Sequence, residues 1–109
     1  MSAIPNSYLE LAESLAPAGV RQSNMFGMPV LKLGRRPIGG LESDGVMFKL
    51  PVDSPEMAEA LSLGGAHVFT PSMNGRTARM KQWVVVPFEH GSYYYDFALR
   101  SIRFVEESE

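Results

Sequence analysis

The sequence predicts an α+β domain whose elements follow the order α-β-β-β-α-β-β-α. Two observations predict it. Three segments carry the apolar spacing or the end signals of helices, and five carry strand patterns bounded by turn residues. A chain of 109 residues is long enough for one domain and short for two. We therefore expect a single domain over residues 1–109.

The first helix is predicted to begin at Ser7, because Ser7 and Glu10 have the spacing of a capping box. Pro17 and Gly19 should end it. Its core-facing stripe is spaced at i, i+3, i+4 and i+7 and consists of Tyr8, Leu11, Ala12 and Leu15.

Three strands are predicted next as an antiparallel meander, over residues 25–34, 37–43 and 46–52. The middle strand is the weakest, because Gly39 and Gly40 have no side chains to pack. Residues 43–45, Ser-Asp-Gly, are a hairpin signal between the second strand and the third.

The second helix has a clear start, with Ser54 as its cap and Pro55 at the first helical position. Its inward residues are expected to be Met57, Ala58 and Leu61. Strands over 66–70 and 79–87 follow, separated by a loop at 71–75.

The third helix is predicted from near Ser92, with apolar residues on two adjoining faces. One face holds Tyr95, Ala98, Leu99, Ile102 and Val105, and the other holds Tyr94 and Phe97. Within the single antiparallel sheet, the residues expected to be buried are Leu31, Leu33, Phe48, Leu50, Val84 and Val86.

Charge and composition limit the function classes. Ten basic residues stand against twelve acidic ones, with a net charge of −2, whereas dedicated nucleic-acid-binding domains typically have a pI above ~9. The chain has no cysteine, so disulfides and thiolate chemistry are excluded. Neither a signal peptide nor an apolar run of membrane-spanning length is evident, and we expect a cytoplasmic protein.

Catalytic and metal-binding templates find little support. Residues 34–42 have the glycine spacing of a phosphate loop but lack its lysine and hydroxyl. His67 and His90 lie on different elements, so we predict no metal site and no cofactor. Glu89, His90 and Asp96 form the one acid–base grouping, and no nucleophile accompanies them, so the prediction is a non-enzymatic protein.

Two basic clusters are the candidate binding residues. One is Lys32, Arg35 and Arg36, and the other is Arg76, Arg79 and Lys81, followed by Trp83. In a regular strand Arg79, Lys81 and Trp83 would share one face. Either they form the solvated face of a sheet that helices cover on its other side, or that face binds an anionic or aromatic group. The role of the seven methionines is equally undecided, because they either fill gaps in the core or line an adaptable surface.

Several motifs in this order resemble the TfoX/Sxy N-terminal-domain family. They are MFGMPVL, GVMFKLP, F-x-P, GR-x-x-x-MKQWVVVP and ALRSIRFV, and they extend from Met25 to Val105. The resemblance implies a two-layer domain with a five-stranded antiparallel sheet flanked by helices. It implies no catalytic residues, and it gives structural roles to Gly27, as a bulge or close approach, and to Met80 and Trp83.

Named members of that family are bacterial competence regulators that act with the transcription machinery and carry a C-terminal helical domain. We expect this chain to be a stand-alone N-terminal-type domain without that second domain. The leading hypothesis is protein–protein contact in transcriptional regulation, with another protein or with a second copy as a homodimer. The alternative is nucleic-acid binding through the two basic clusters, and a third is small-molecule or enzyme function at Glu89 and His90.

Overall fold

Over the residues that the structure describes, the fold is a mixed α+β arrangement with an antiparallel sheet and three α-helices, as the sequence predicts. The computed structural model describes residues 4–25, 27–73, 76–77 and 80–108, and of residues 72, 73, 76 and 77 it describes the backbone alone. None of the helices within these ranges is both long and apolar enough to cross a membrane.

The main sheet has six strands rather than the predicted five, in the order β1-β2-β3-β4-β8-β5. A separate two-stranded hairpin, β6 and β7, lies within the segment predicted as loop and the start of the last strand. In chain order the strands are β1 Val20–Met25, β2 Met28–Leu33, β3 Arg36–Glu42, β4 Gly45–Lys49, β5 His67–Phe69, β6 Ser72–Met73, β7 Arg76–Thr77 and β8 Met80–Pro87.

The additional strand is β1, which the sequence analysis missed. The predicted strand over 25–34 is in fact the end of β1, a turn and β2. Gly27 lies in that turn with a φ of 78°, a value that glycine adopts without strain. A Cβ at Gly27 would meet nothing within 4 Å, so the predicted bulge or close approach is wrong there. Phe26 lies outside the described residues. The pattern failed for β1 because an edge strand with a single buried side chain, Val20, needs little apolar alternation.

The helices are α1 Asn6–Leu15, α2 Pro55–Leu61 and α3 Tyr94–Glu107, with short 3-10 turns at Ala16–Ala18 and Phe88–Tyr93. The predicted capping box is wrong, because α1 begins at Asn6 and Pro5 precedes it without a side-chain cap. The predicted cap of α2 is confirmed: the Ser54 hydroxyl accepts a 3.0 Å hydrogen bond from the Met57 amide.

The helices turn partly different faces inward from those predicted. The stripe of α1 is confirmed, but in α2 the buried residues are Met57 and Ala60, while Ala58 and Leu61 are exposed. In α3 the second predicted face, Tyr94 and Phe97, is buried, and part of the first face is buried as well. Tyr95 and Leu99 are exposed, and the buried set is Tyr94, Phe97, Ala98, Ser101, Ile102 and Val105.

The core lies between these helices and one face of the sheet, which we call the helix face. Phe48 is at its centre, with its ring centroid 5.5 Å from that of Tyr94 and 6.0 Å from that of Phe97. Of the strand residues predicted to be buried, Leu33 is only half-buried and packs against the core. The other five, Leu31, Phe48, Leu50, Val84 and Val86, are buried.

Candidate functional site

The opposite face of the sheet, which we call the outer face, carries an apolar cavity of about 230 Å³. Four methionines of the described part of the chain line it: Met25, Met28, Met47 and Met80. We call it the methionine cavity. Methionine is flexible and polarizable, and surfaces built from it adapt to different apolar groups. The arrangement therefore favours a surface role for these methionines over core filling.

Strand register brings these residues to one face. Residues that pair directly in an antiparallel sheet have side chains on the same side. One row of such pairs crosses the sheet through Val30, Gly40, Met47 and Val85. Val30, Met47 and Val85 are buried, yet they do not belong to the cluster packed under the helices. The outer face therefore has a small apolar floor of its own.

Gly40 allows that floor to be flat. A Cβ on this residue would lie 2.9 Å from the Met47 methyl carbon and 3.2 Å from the Pro29 carbonyl oxygen. Because no side chain stands there, Met47 can lie across β3 toward Val30. Gly40, one of the two glycines that weaken this strand in the sequence pattern, thus allows close packing in the middle of the sheet.

The outer face is concave. Met25 belongs to β1 and Phe69 to β5, and these are the two edge strands of the sheet, yet both residues line the methionine cavity. Six flat strands would separate the edges by about 24 Å at the usual strand spacing. The sheet must therefore curl, and an irregularity in the β5–β8 register, from Val68–Val84 to Phe69–Met80, contributes to the bend.

Cations lie beside the cavity on the same face. Lys49 lines it directly and pairs with Trp83, which also lines it. Lys32 pairs with Pro37, another lining residue, and on its other side with Arg21. No ion pair in the described part of the chain involves any of these three cations. Their charges remain available to an anionic group beside an apolar one.

Other surface grooves of the described residues are larger, and two of them have no cation in their lining. One of about 390 Å³ lies at the far end of β3, near Glu42, Ser43 and Phe88. Another, of about 450 Å³, runs between α1 and the start of α3 and has Ser7, Glu10, Ser14 and Ser92 in its lining. A groove of about 300 Å³ beside α2 does combine Met57, Leu61 and Val68 with Lys81. The methionine cavity brings together more apolar side chains and has three cations on its face, so it is the candidate site.

The first predicted cluster does not act as one surface. Lys32 lies on the outer face, and Arg35 is exposed in the turn between β2 and β3. Arg36 instead donates a hydrogen bond to the Val105 carbonyl oxygen in the last turn of α3. Cations suit the C-terminal end of a helix, where carbonyl oxygens lack partners. Arg36 is therefore occupied by a structural contact.

The second predicted cluster is also divided. Trp83 lines the methionine cavity, whereas Lys81 lines a separate groove of about 300 Å³ beside α2, with Asp53, Met57 and Val68. Lys81 also lines a groove of about 350 Å³ together with Met80, Gln82 and Trp83. The register irregularity between β5 and β8 interrupts the alternation of β8 at this point, so Lys81 contacts two different grooves. Of Arg76 only the backbone is described, in β7, and Arg79 lies outside the described residues.

Register nevertheless gathers much of the basic charge at one end of the sheet. Lys32 is the last residue but one of β2, Arg36 begins β3, and Lys49 ends β4. Because neighbouring strands are antiparallel, these ends lie together, with Arg21 at the start of β1 and Lys81 near the start of β8. The opposite end carries Glu42 and Asp44. The sheet is therefore polarised in charge along its strands.

The predicted acid–base grouping is not assembled. The His90 ring nitrogen Nε2 is 2.8 Å from the Gly64 carbonyl oxygen and 3.9 Å from Glu89. Asp96 instead forms a 2.8 Å ion pair with Arg100 one turn along α3. Among the described residues no cluster of three or more histidine or acidic side chains could hold a metal ion.

Sequence reasoning missed Arg21, Lys49 and the convergence of the methionines. A weak signal existed for Lys49, because it alternates with Phe48 and Leu50 and so had to lie on the face away from the core. Arg21 could not be placed, since β1 was not predicted. Nothing in the sequence indicates that methionines from β1, β2, β4 and β8 meet.

No protein-family model, curated protein or solved structure matches this chain. The resemblance to the TfoX/Sxy N-terminal-domain family therefore stays a prediction.

Proposed function

We propose that this protein is a binding module that takes up a segment of another protein on the outer face of its sheet. The observation that carries the proposal is the methionine cavity with Lys49 in its lining and Lys32 and Arg21 beside it. The partner segment inserts apolar side chains among the methionines and places a carboxylate against the cations.

Charge complementarity supports this partner chemistry. Arg21, Lys32 and Lys49 have no ion-pair partners among the described residues, and the acidic residues Glu42 and Asp44 belong to the other end of the sheet. The attraction between a carboxylate and a half-buried lysine is stronger than that between the same two groups in open solvent, because solvent screens it less.

The size of the cavity also supports a protein partner. Sites for cofactors and drug-sized molecules usually enclose ~300–1,000 Å³, and this cavity holds about 230 Å³. Such a volume suits a few apolar side chains that anchor a longer segment. Binding rather than catalysis is the proposed activity, since His90 is engaged by the Gly64 carbonyl and Asp96 by Arg100.

The experiment is a selection of random peptides against the wild-type protein, followed by affinity measurements. We expect the selected peptides to combine large apolar residues with aspartate or glutamate. Lys49→Glu should weaken their binding by about 10- to 100-fold, the usual effect of losing a hydrogen bond to a charged group.

Arg103→Glu is the matched control, because it makes the same charge change at an exposed position of α3. It should leave binding unchanged. The proposal is wrong if the selected peptides lack acidic residues, if Lys49→Glu binds as well as wild type, or if both variants lose affinity equally.

Nucleic-acid binding is the second candidate, and the gathering of basic residues at one end of the sheet favours it. Trp83 and Phe69 in the cavity could stack on bases. Single-stranded oligonucleotides of mixed sequence, titrated at two salt concentrations, test it directly. If they bind, replacing Arg76, Arg79 and Lys81 with serine should flatten the slope of log K against log salt by ~0.7 for each phosphate that the variant no longer neutralises.

A role in transcriptional regulation follows from the family resemblance alone. It predicts that the protein segment bound on the outer face belongs to a component of the transcription machinery. Cross-linking in the native cell through a photoreactive residue at position 32 would identify that component, and Lys49→Glu should abolish its capture.

A further inference from the structure

We infer that β1 is a self-association edge through which two copies of this chain form an antiparallel dimer. β1 is the first strand of the sheet, and all six of its residues pair with β2 in an unbroken register. Within the described residues its other side has no strand partner. Alternate backbone N–H and C=O groups of β1 are therefore directed outward and available.

The two edges of the sheet differ in how far they resist strand addition. β5 has only three residues, its register with β8 is irregular, and Pro71 follows shortly after it. Short strands, irregular registers and prolines are the means by which proteins protect an edge. β1 has none of them: it is twice as long, regular, and carries Arg21 as its one charge.

The sequence of β1 is compatible with itself across a two-fold axis. An axis perpendicular to the sheet keeps outer face beside outer face, so paired residues must share a face. Two registers meet this condition and pair five residues of each copy, one centred on Gln22 and one centred on Ser23. Arg21 would face Ser23 of the second copy in the first register and Met25 in the second. Neither register places like charges opposite each other.

A second copy explains this edge better than a chain of copies. Pairing β1 with β5 of the next molecule would be a heterologous contact of at most three residues, and such contacts propagate into open filaments. Pairing β1 with β1 of a second copy joins five residues of each copy, and the assembly is closed once two copies have met. The dimer would join two outer faces into one surface, with the two basic ends at opposite sides.

The inference does not depend on the proposed function, because it requires no foreign partner. A five-residue ladder buries less surface than a standard interface, so we expect a weak dimer. Sedimentation velocity of the wild-type protein from about 10 µM to about 1 mM should show a concentration-dependent dimer.

Cysteine cross-linking makes the test specific, since the chain has no cysteine of its own. At the centre of either register a residue faces its own copy at a Cα separation of ~4.5–5.5 Å, which a disulfide can span. Under mild oxidation, Gln22→Cys or Ser23→Cys should therefore dimerise much faster than Ser62→Cys, which is an exposed control position on α2's C-terminal cap.

Proline substitution completes the test. Of Gln22→Pro and Ser23→Pro, the one that removes an outward N–H should fold like the wild type and raise the dimer dissociation constant at least ~10-fold. Lys49→Glu should leave the dimer intact. A protein that stays monomeric to 1 mM, with edge cysteines that cross-link no faster than Ser62→Cys, would overturn the inference. So would a dimer that a well-folded proline variant leaves unchanged.

Discussion

The two faces of one sheet are built from neighbouring residues and yet differ in almost every physical respect. Phe48 points under the helices, is fully buried and packs against two aromatic rings. Met47 and Lys49, on either side of it, point to the outer face and line an open cavity. The helix face thus has the close packing of a core, whereas the outer face has apolar surface without a complete cover. Contiguous exposed apolar surface beside unpaired charge is typical of an interaction site.

The largest contrast should appear in stability when adjacent residues of β4 are truncated. Phe48→Ala removes a ring from the packed core and should cost about 3–5 kcal/mol of unfolding free energy. Met47→Ala, on the outer face, should cost about 2 kcal/mol or less, because its neighbours can settle into the existing cavity. Denaturant unfolding measures both. Equal losses would mean that the outer face is packed as tightly as the core.

Alkaline pH should lower the free energy of unfolding through two tyrosines that are buried on the helix face. Burial raises the pKa of Tyr8 and of Tyr94 from the ordinary value of 10.0 to about 12. Above pH 10 the unfolded chain loses these protons while the folded protein keeps them. The free energy of unfolding should therefore keep its full value below pH 10 and fall between pH 10 and pH 12, by up to about 1.4 kcal/mol per pH unit for each tyrosine.

Unfolding measured between pH 9 and pH 12 tests this dependence. Tyr8→Phe and Tyr94→Phe should each reduce the slope, because each removes one of the two groups whose pKa is raised. A slope that Tyr8→Phe and Tyr94→Phe fail to reduce would contradict the assignment.

The two buried tyrosines should differ from each other at neutral pH. The Tyr94 hydroxyl donates a 2.8 Å hydrogen bond to the Val86 carbonyl oxygen. The Tyr8 hydroxyl is buried without a partner in the described part of the chain. Tyr94→Phe should therefore cost about 1–2 kcal/mol, whereas Tyr8→Phe should be neutral or stabilising. Thermal unfolding of the two single variants is the measurement, and the reverse order would be evidence against these contacts.

Lys49→Met should separate stability from binding on the outer face. Replacing an unpaired, half-buried cation with an apolar side chain of similar length should leave stability within about 0.5 kcal/mol of the wild type or raise it slightly. The same change removes the charge proposed to meet the partner's carboxylate. Acidic peptides should then bind more weakly to a protein that is no less stable. A large loss of stability would show that Lys49 has a structural role.

The sequence predicted the helix face far better than the outer face, for a physical reason. Burial against helices imposes alternation, so Leu31, Phe48 and Val84 could be read directly from their spacing. Edge strands escape that constraint, and β1 was missed. The cavity depends on register and curvature, which bring Met25 and Met80 together from positions 55 residues apart. Arg36 was predicted to be a binding residue because its partner, the Val105 carbonyl oxygen, lies 69 residues away in the chain and no local pattern reveals the contact.

Methyl resonances of the methionines offer the most direct test of the central claim, that the outer face is the binding surface. The measurement is an NMR titration of protein labelled at the methionine methyl groups with the strongest selected acidic peptide. Met25, Met28, Met47 and Met80 line the cavity. Met57 belongs to α2, is buried on the helix face, and serves as the internal control. We expect the four cavity signals to shift at saturation and the Met57 signal to stay in place. A titration in which the peptide binds while the four signals remain unchanged, or in which Met57 moves as much as they do, would contradict the account.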